Sequence, residues 1–309
     1  MTSEQKNRLP SDHKLRKRYR IIKQISNDPS LGITYHAEDL DLPDKRKCVV
    51  RQLNCQKFSE LNPSMLENVT ELFEQASKSL YQLGKHERIP GLYAYFEENN
   101  EFYLVQEYID GNDLWSEIIP NEPWSEKYTI NFLREILEIL VFAHRKQFIH
   151  QNIKPSNIIR KNHVQKLILT NFGVTKEINT LINGLYANAG ISHYEPPEQG
   201  GIDPKPVLAS DIYAVGVIGI LGLTESTDII EWRKKAKVSD KLATILDKMT
   251  HIHWQERYQN AKEALDAIDR MFIISTIHST GMDDENRASF SDRTLGQKFV
   301  NWWNTGDFK

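Results

Sequence analysis

A polar stretch, residues 150–157, carries side chains of the types that handle protons, phosphates and metal ions. Lys154 supplies a cation, while Asn152 and Asn157 supply neutral amides. A third amide, Asn171, follows the stretch. An amide has no useful proton affinity near neutral pH, and Mg²⁺ favours charged oxygen ligands. These residues therefore predict binding rather than proton transfer or metal-assisted catalysis.

The pattern of apolar residues around this stretch predicts five strands and one helix, followed by a helical region. The strand patterns fall at residues 19–25, 33–36, 48–53, 92–96 and 101–109. A helix begins at Pro63, after the candidate cap Asn62, and ends at Gly84. Further helical patterns cover residues 125–146, 211–223, 239–250 and 260–272. This order predicts an α+β protein of two lobes.

The composition of the 309 residues is that of an ordinary globular protein, with 39% hydrophobic and 26% charged residues. A net charge of -3 offers no global attraction to nucleic acid or anionic membrane. The longest apolar run, residues 214–223, is too short to span a bilayer. The two cysteines, Cys48 and Cys55, form no metal-binding pattern. We therefore expect a cytoplasmic protein that does not bind nucleic acid and has no membrane span.

Several ordered motifs resemble a eukaryotic-like serine/threonine protein kinase domain of the cyanobacterial type. The resemblance covers residues 19–270 and rests on residues 48–53, 96–114, 150–157 and 196–199. It implies a bilobal protein-kinase-like fold, with a five-stranded antiparallel N-lobe, one main helix there, and a mainly helical C-lobe. The predicted segments are a flexible basic leader (1–18), the N-lobe (19–110), the C-lobe (111–273), and a polar linker with an aromatic tail (274–309).

The resemblance also implies which residues hold the positions that kinases use for phosphoryl transfer. Arg51 stands at the position of the phosphate-binding lysine, and Ala76 at that of its glutamate partner. Asn152 replaces the aspartate base, and Asn171 replaces the aspartate that binds Mg²⁺. Two family matches remain, Lys154 and Asn157. The resemblance therefore implies a degenerate member of the family, with no intact catalytic set and no metal site.

Two further groups of residues fit structural and nucleotide-binding positions of the family. The implied supports are a hydrophobic column with its anchor and a salt bridge in the large lobe: Leu80, Leu92, His150, Phe172 and Asp211, with Glu198 and Arg257. The implied vestigial nucleotide pocket consists of Gly32, Val49, Gln106, Glu107, Ile109, Leu114 and Ile159.

From these substitutions we predict a catalytically inactive pseudokinase, not an enzyme, that acts as a scaffold or allosteric regulator. The expected partner is another protein, either an active kinase or an enzyme complex, and no cofactor is expected. Two alternatives stay open. One is a conformational switch that binds ATP without Mg²⁺ and without phosphotransfer, and the other is a residual or atypical serine/threonine kinase.

Four aromatic residues crowd the end of the chain after a polar linker: Phe299, Trp302, Trp303 and Phe308. Exposed aromatics are costly unless they dock, and such residues commonly anchor interfaces. We therefore predict that the tail docks, either on the lobes of its own chain or on a partner. The sequence does not name the partner, the pathway or the oligomeric state.

Overall fold

The computed structural model describes residues 8–28, 32–53, 63–99, 101–172, 193–200 and 205–280. The first lobe is built on a six-stranded antiparallel sheet, with the strand order β1-β2-β3-β4-β6-β5. These strands are β1 (Lys14–Leu15), β2 (Tyr19–Asp28), β3 (Gly32–Asp39), β4 (Lys47–Leu53), β5 (Leu92–Glu98) and β6 (Glu101–Glu107).

Strand β4 lies inside this sheet and is buried along most of its length. It pairs with β3 on one side and with β6 on the other, so that Arg51 lies opposite Thr34 and Leu104. One face of the sheet forms a small core around Tyr35 and Val50, both fully buried. The other face packs on the helix of this lobe. Arg51, at 2% exposure, is the charged residue that is buried within this strand.

The helix of the first lobe, α1 (Pro63–Leu83), has the bounds that the apolar spacing predicts. Its buried face includes Val69, Phe73 and Leu80. The amide of Gly84 donates to the Leu80 carbonyl at 2.8 Å, which closes the last turn. The candidate cap Asn62 lies outside the described residues.

The prediction of a flexible leader is wrong for residues 8–18, and the sheet has six strands instead of five. Strand β1 pairs with the start of β2, and the Leu15 side chain is only 1% exposed. The Leu9 amide donates to the Tyr35 hydroxyl at 3.0 Å. Arg18 donates to both oxygens of Asp39, each at 2.7 Å. Leu15 is therefore buried and Leu9 partly buried within a basic segment, and backbone pairing on the edge of β2 holds the segment in place.

The second lobe packs its helices around one almost wholly buried helix. Its elements are β7 (Gly111–Asp113), α2 (Glu126–Arg145), β8 (Ile158–Lys161), β9 (Leu167–Leu169), α3 (Leu208–Thr224), α4 (Trp232–Lys235), α5 (Asp240–Met249) and α6 (Ala261–Thr280). Every residue of α3 from Ala209 to Leu223 is buried, because α2, α5 and α6 all pack against it. The apolar run in the sequence is this buried helix.

Two helices of the second lobe begin at side-chain caps, and a third packs closely against a tryptophan ring. Ser125 caps α2 and Ser239 caps α5, each accepting a hydrogen bond from a backbone amide two or three residues into the helix. Gly222 of α3 lies against the Trp124 ring, and a Cβ there would come within 2.1 Å of the ring. Helix α6 runs to Thr280, eight residues beyond the predicted end of that helix at Phe272.

Within the described ranges, no helix combines the length and the apolar character needed to cross a membrane.

Candidate active site

The loop at residues 150–157 is fixed from below by a buried carboxylate, Asp211 of α3. Its two oxygens accept from the backbone amides of His150 at 2.7 Å and Gln151 at 2.9 Å. The His144 ring lies 3.0 Å from the same carboxylate and accepts from the Ala261 amide at 3.0 Å through its other nitrogen. The charge of Asp211 therefore holds the loop in place, which is the anchoring role that the resemblance implies.

Both ring nitrogens of His150 are engaged in hydrogen bonds within this part of the site. Its Nε2 lies 2.9 Å from the Thr170 carbonyl and its Nδ1 accepts from the Asn152 amide at 3.2 Å. One donating and one accepting nitrogen define a neutral imidazole. The ring packs on Phe172, with the ring centroids 4.4 Å apart. Leu80 is buried in the same apolar core, and Leu92 packs against that core. The structure thus brings the predicted column residues into one region.

Four polar residues form a hydrogen-bonded row that joins the two lobes. Arg51 of β4 donates to the side-chain oxygen of Asn171. Asn171 in turn donates through Nδ2 to Oδ1 of Asn157, at 2.7 Å. Asn157 donates to the Asn152 carbonyl, also at 2.7 Å. The structure therefore assembles three of the four substituted positions, together with the family match Asn157. We call this set, Arg51, Asn171, Asn157 and Asn152, the amide row.

Ala76, the fourth substituted position, packs half-buried against the core from α1. Its neighbour on the buried side is Ser77, whose hydroxyl donates to the Phe73 carbonyl at 2.7 Å. The nearby acidic residue Glu74 is exposed and lies 3.7 Å from Lys78 on the helix surface. Helix α1 therefore presents a methyl group where the resemblance implies a glutamate.

Asn152 borders a narrow cleft between the loop and the segment at residues 193–200. Its Nδ2 is buried and has no hydrogen-bond partner among the described residues. Tyr194 lines the cleft, and burial raises the pKa of its hydroxyl to about 12, so it stays neutral at physiological pH. Two carboxylates also line the cleft, Glu195 and the anchor Asp211. Glu195 is a carboxylate beside the loop that the sequence motifs did not single out.

The residues predicted to form the nucleotide pocket come from both lobes. Val49 of β4 lies opposite Gln106 of β6, and Ile159 of β8 lies opposite Asp113 of β7. Ile109 and Leu114 are buried close to the point where the chain passes from one lobe to the other. The predicted pocket residues are therefore distributed over both lobes on either side of that connection.

Two contacts hold the connecting segment between the lobes. Glu107 lies 3.5 Å from Lys161 of β8, which links the last residue of β6 to the second lobe. The Tyr108 ring stacks on His36, with centroids 4.6 Å apart. Burial lowers the pKa of His36, so the stacked imidazole is neutral.

Gly32 has a backbone conformation that suits glycine. Its φ of +88° lies in the left-handed region, and a Cβ there would come within 2.1 Å of the Gln52 carbonyl oxygen. Residues 29–31, which precede Gly32 in the sequence, lie outside the described residues, as do the aromatic tail residues Phe299, Trp302, Trp303 and Phe308.

Glu198 and Arg257 form an ion pair that braces the second lobe. The guanidinium donates to the two carboxylate oxygens at 2.7 and 3.0 Å, and the Arg257 side chain is 0% exposed. Ser210 donates to the same carboxylate at 2.7 Å. Arg257 also donates to the His251 carbonyl at 2.6 Å. The brace therefore connects the end of the segment at 193–200 to α3 and to the loop after α5.

Comparisons with known proteins agree with this geometry. Residues 45–288 match the family described as the protein kinase domain. The chain is 37% identical over 257 residues to serine/threonine-protein kinase B of Synechocystis sp., covering 77% of this chain and 44% of that protein. It is 35% identical over 269 residues to serine/threonine-protein kinase PknA of Nostoc sp., covering 81% of this chain and 47% of that protein. The chain thus spans about half the length of these relatives.

Among solved structures, the fold is similar to the PknI kinase domain of Mycobacterium tuberculosis. The TM-score is 0.63 and the sequence identity 16%, with 85% of this chain and 99% of that chain covered. The chain therefore has the bilobal fold that the sequence motifs predict.

The same comparisons contradict the prediction of a catalytically inactive scaffold, and with it the prediction that the chain is not an enzyme. Relatives at 35% and 37% identity are named serine/threonine-protein kinases. The physical reason lies in the reaction: phosphoryl transfer depends mainly on positioning and charge, and loss of a base lowers its rate by a finite factor, about 10²–10⁴. Substituted residues that remain assembled are therefore compatible with an enzyme.

Proposed function

The chain belongs to the protein kinase family, and from that premise we propose that it is an atypical serine/threonine protein kinase. It transfers the γ-phosphoryl group of ATP to a serine or threonine hydroxyl of a protein. The observation that carries this proposal is the amide row, because it joins the phosphate-side strand of one lobe to the loop of the other. The alternative of a switch without phosphotransfer is one outcome of the experiment below.

The nucleotide lies between the lobes in this proposal. Val49 and Ile159 contact the two faces of the base, and Leu114 closes the pocket from the second lobe. Backbone groups of Glu107 and Ile109 bind the base edge. Support comes from the burial of Leu114, which is 0% exposed, and from the half-buried state of Val49 and Ile159, which leaves apolar surface for a ligand.

The phosphate tail is neutralised by two cations, Arg51 and Lys154. The transition state of phosphoryl transfer is loose, and its stabilisation is mostly a matter of charge and alignment. Arg51 is held by Asn171, and Lys154 directly precedes the short 3₁₀ helix Pro155–Asn157, whose last residue belongs to the amide row. Both cations are thus attached to the same rigid unit, which favours alignment over flexibility.

In the chemical step, the substrate hydroxyl oxygen forms a bond to the γ-phosphorus and the bond from that phosphorus to the ADP oxygen breaks. The Asn152 amide orients the hydroxyl but cannot take its proton. Glu195 lines the same cleft, and we assign it as the carboxylate that receives this proton. Asp211 is unsuited to that role because its oxygens accept from two backbone amides and lie beside His144.

The family implies Mg²⁺ at this site, but the residues present do not fit it. The positions that would bind the metal are two neutral amides, whose oxygens already accept hydrogen bonds from Arg51 and Asn171. Mg²⁺ requires near-octahedral oxygen ligation with carboxylate support. Within the described ranges, no three acidic, histidine or cysteine side chains are grouped closely enough to hold a metal ion. No step of the proposed reaction passes through a metal.

A protein substrate is the partner that this chemistry requires, and we propose that the reaction takes place in the cytoplasm, where ATP is available. The test is incubation of the purified chain with γ-labelled ATP and a generic serine- and threonine-rich protein, both with Mg²⁺ and with a chelator. We expect labelled phosphoserine or phosphothreonine, lost in Lys154→Ala and kept in Lys262→Ala, whose side chain is 56% exposed and pairs with Asp266.

Incorporation no higher than that of heat-unfolded protein in both conditions would overturn the proposed activity. If the folded chain then still bound ATP, the nucleotide switch would replace the kinase as the function.

A further inference from the structure

The residues of this site do not fit the Mg²⁺ that the family implies, but a positively charged side chain, Arg51, already lies there. We infer that Arg51 takes the place of the divalent cation, so that this pocket binds a nucleoside triphosphate as the metal-free anion. The inference rests on the nucleotide-binding part of the proposed function and does not depend on phosphotransfer.

The orientation of each amide in the row follows from its two ends. A guanidinium can only donate, so Asn171 must turn its oxygen toward Arg51 and its NH₂ toward Asn157. Asn157 then turns its oxygen toward Asn171 and its NH₂ toward the Asn152 carbonyl, which can only accept. The row is consistent in this direction alone. Each oxygen that could face a metal therefore already accepts one hydrogen bond.

The charges of the site favour the same assignment. The amide row has one formal positive charge, on Arg51, and no negative charge. A divalent cation placed beside Asn171 would lie next to the guanidinium, which is 2% exposed, and no carboxylate of the row would offset the repulsion. A triphosphate without metal is instead attracted, because its negative charge faces Arg51 and Lys154.

The geometry of a guanidinium suits this task better than that of an ammonium. Its planar donors match two phosphate oxygens at once, and it remains charged at every physiological pH. Because Asn171 fixes one edge of the guanidinium, the fork is oriented before the ligand arrives. A lysine at this position would act as a point charge and would need a separate metal to bridge the phosphates.

Substitution of Asn171 by aspartate should make ATP binding depend on Mg²⁺. In Asn171→Asp, a carboxylate replaces the amide that accepts from Arg51, which supplies a charged oxygen ligand for Mg²⁺. We expect this variant to bind ATP about tenfold more tightly with Mg²⁺ than with a chelator, since charged oxygens are the ligands that Mg²⁺ prefers. The wild-type chain is expected to differ by less than about threefold between the two conditions.

The experiment is calorimetric titration of the full chain with ATP, in excess Mg²⁺ and in excess chelator. Arg51→Ala is expected to weaken binding by at least about tenfold in both conditions, while Arg46→Ala, an exposed arginine just outside the same strand, leaves it unchanged. Circular dichroism checks that each variant is folded. Arg51→Lys is the second variant; it keeps the charge without the planar fork and is expected to bind ATP more weakly than the wild type in chelator.

Wild-type binding that requires Mg²⁺ would overturn the inference, as would unchanged affinity in folded Arg51→Ala or no binding in either condition. These results are separable from the kinase test. Binding in chelator without labelled product refutes the kinase and supports the inference. Labelled product together with binding that is lost in chelator supports the kinase and refutes the inference.

Discussion

At the scale of single residues, the site depends on what an amide can and cannot do. An asparagine donates and accepts at once, so it can link a guanidinium to a carbonyl, whereas an aspartate can only accept. The residue types in this row are readable from the sequence, and so is the missing base. Their hydrogen bonds are not, because the contact between Arg51 and Asn171 joins residues 120 positions apart. The sequence therefore predicts the loss of the family's catalytic groups more readily than the hydrogen bonds that the replacing residues form.

Restoring a carboxylate at Asn152 tests the proposed role of Glu195. The Asn152 NH₂ is buried and has no partner among the described residues, so its replacement removes an unsatisfied donor. We expect Asn152→Asp to keep kcat at least at the wild-type level, because the new carboxylate can take the proton that Glu195 receives in the wild type. Steady-state kinetics with labelled ATP provide the measurement.

The matched substitution on the other carboxylate is Glu195→Gln. We expect it to lower kcat by about 10²–10⁴-fold in the wild-type background, the usual contribution of a positioned base, and by little in Asn152→Asp. Equal losses in both backgrounds would mean that Glu195 acts through the cleft's structure and not as the proton acceptor.

At the scale of elements, local patterns predict those that carry their own apolar spacing, such as α1 and the buried α3. Strand β1 is missed because Lys14–Leu15 is too short to show a period and lies in a basic segment. Its position comes from the edge of β2, where Lys14 lies opposite Arg20 and Leu15 opposite Tyr19. Pairing with a partner strand therefore outweighs local composition in this part of the lobe.

Removing the Leu15 side chain measures how much β1 contributes to the first lobe. Leu15 is 1% exposed in the small core, and truncation of such a residue typically costs about 2–5 kcal/mol. We expect Leu15→Ala to lower the free energy of unfolding by that amount in urea denaturation. Ile25→Ala on β2 is the control, since Ile25 is 51% exposed and should change stability by less than about 0.5 kcal/mol. Equal effects would mean that β1 is not part of the folded lobe.

The contact between β3 and the connecting segment should make the first lobe sensitive to acid. Burial lowers the pKa of His36 below its ordinary value of 6.5, so below that pH the unfolded chain binds more protons than the folded one. This contribution to stability is intact above about pH 6.5 and is lost as the pH falls below it. His36→Phe keeps the stack on Tyr108 and removes the titration.

The measurement is urea denaturation at a neutral and a mildly acidic pH. We expect the drop in unfolding free energy between the two to be smaller in His36→Phe than in the wild type. A drop of the same size in His36→Phe would exclude His36 as its source.

At the scale of the whole molecule, one apolar core runs through both lobes, from Leu53 and Phe73 in the first to Leu246 and Ile268 in the second. The sequence motifs predict the two lobes, the column and the brace because each depends on residue types at fixed positions along the chain. They do not predict that the lobes meet through the amide row, since this contact depends on how the finished lobes face each other. This contact between the lobes is therefore visible only in the folded structure.

The brace between Glu198 and Arg257 should be the ion pair on which the second lobe depends most. The Arg257 side chain is 0% exposed, so Glu198→Ala leaves a buried guanidinium without its carboxylate and removes the acceptor of Ser210. Breaking one partner of a buried pair typically costs about 3–5 kcal/mol. Urea denaturation should show a loss of this size in the free energy of unfolding. Glu231→Ala removes a pair with Lys234 in which both side chains are more than half exposed, and should cost at most about 1 kcal/mol. If the two variants were equally stable, burial would not be what gives the brace its strength, and the segment at residues 193–200, with Glu195, would have to be held in place by other contacts.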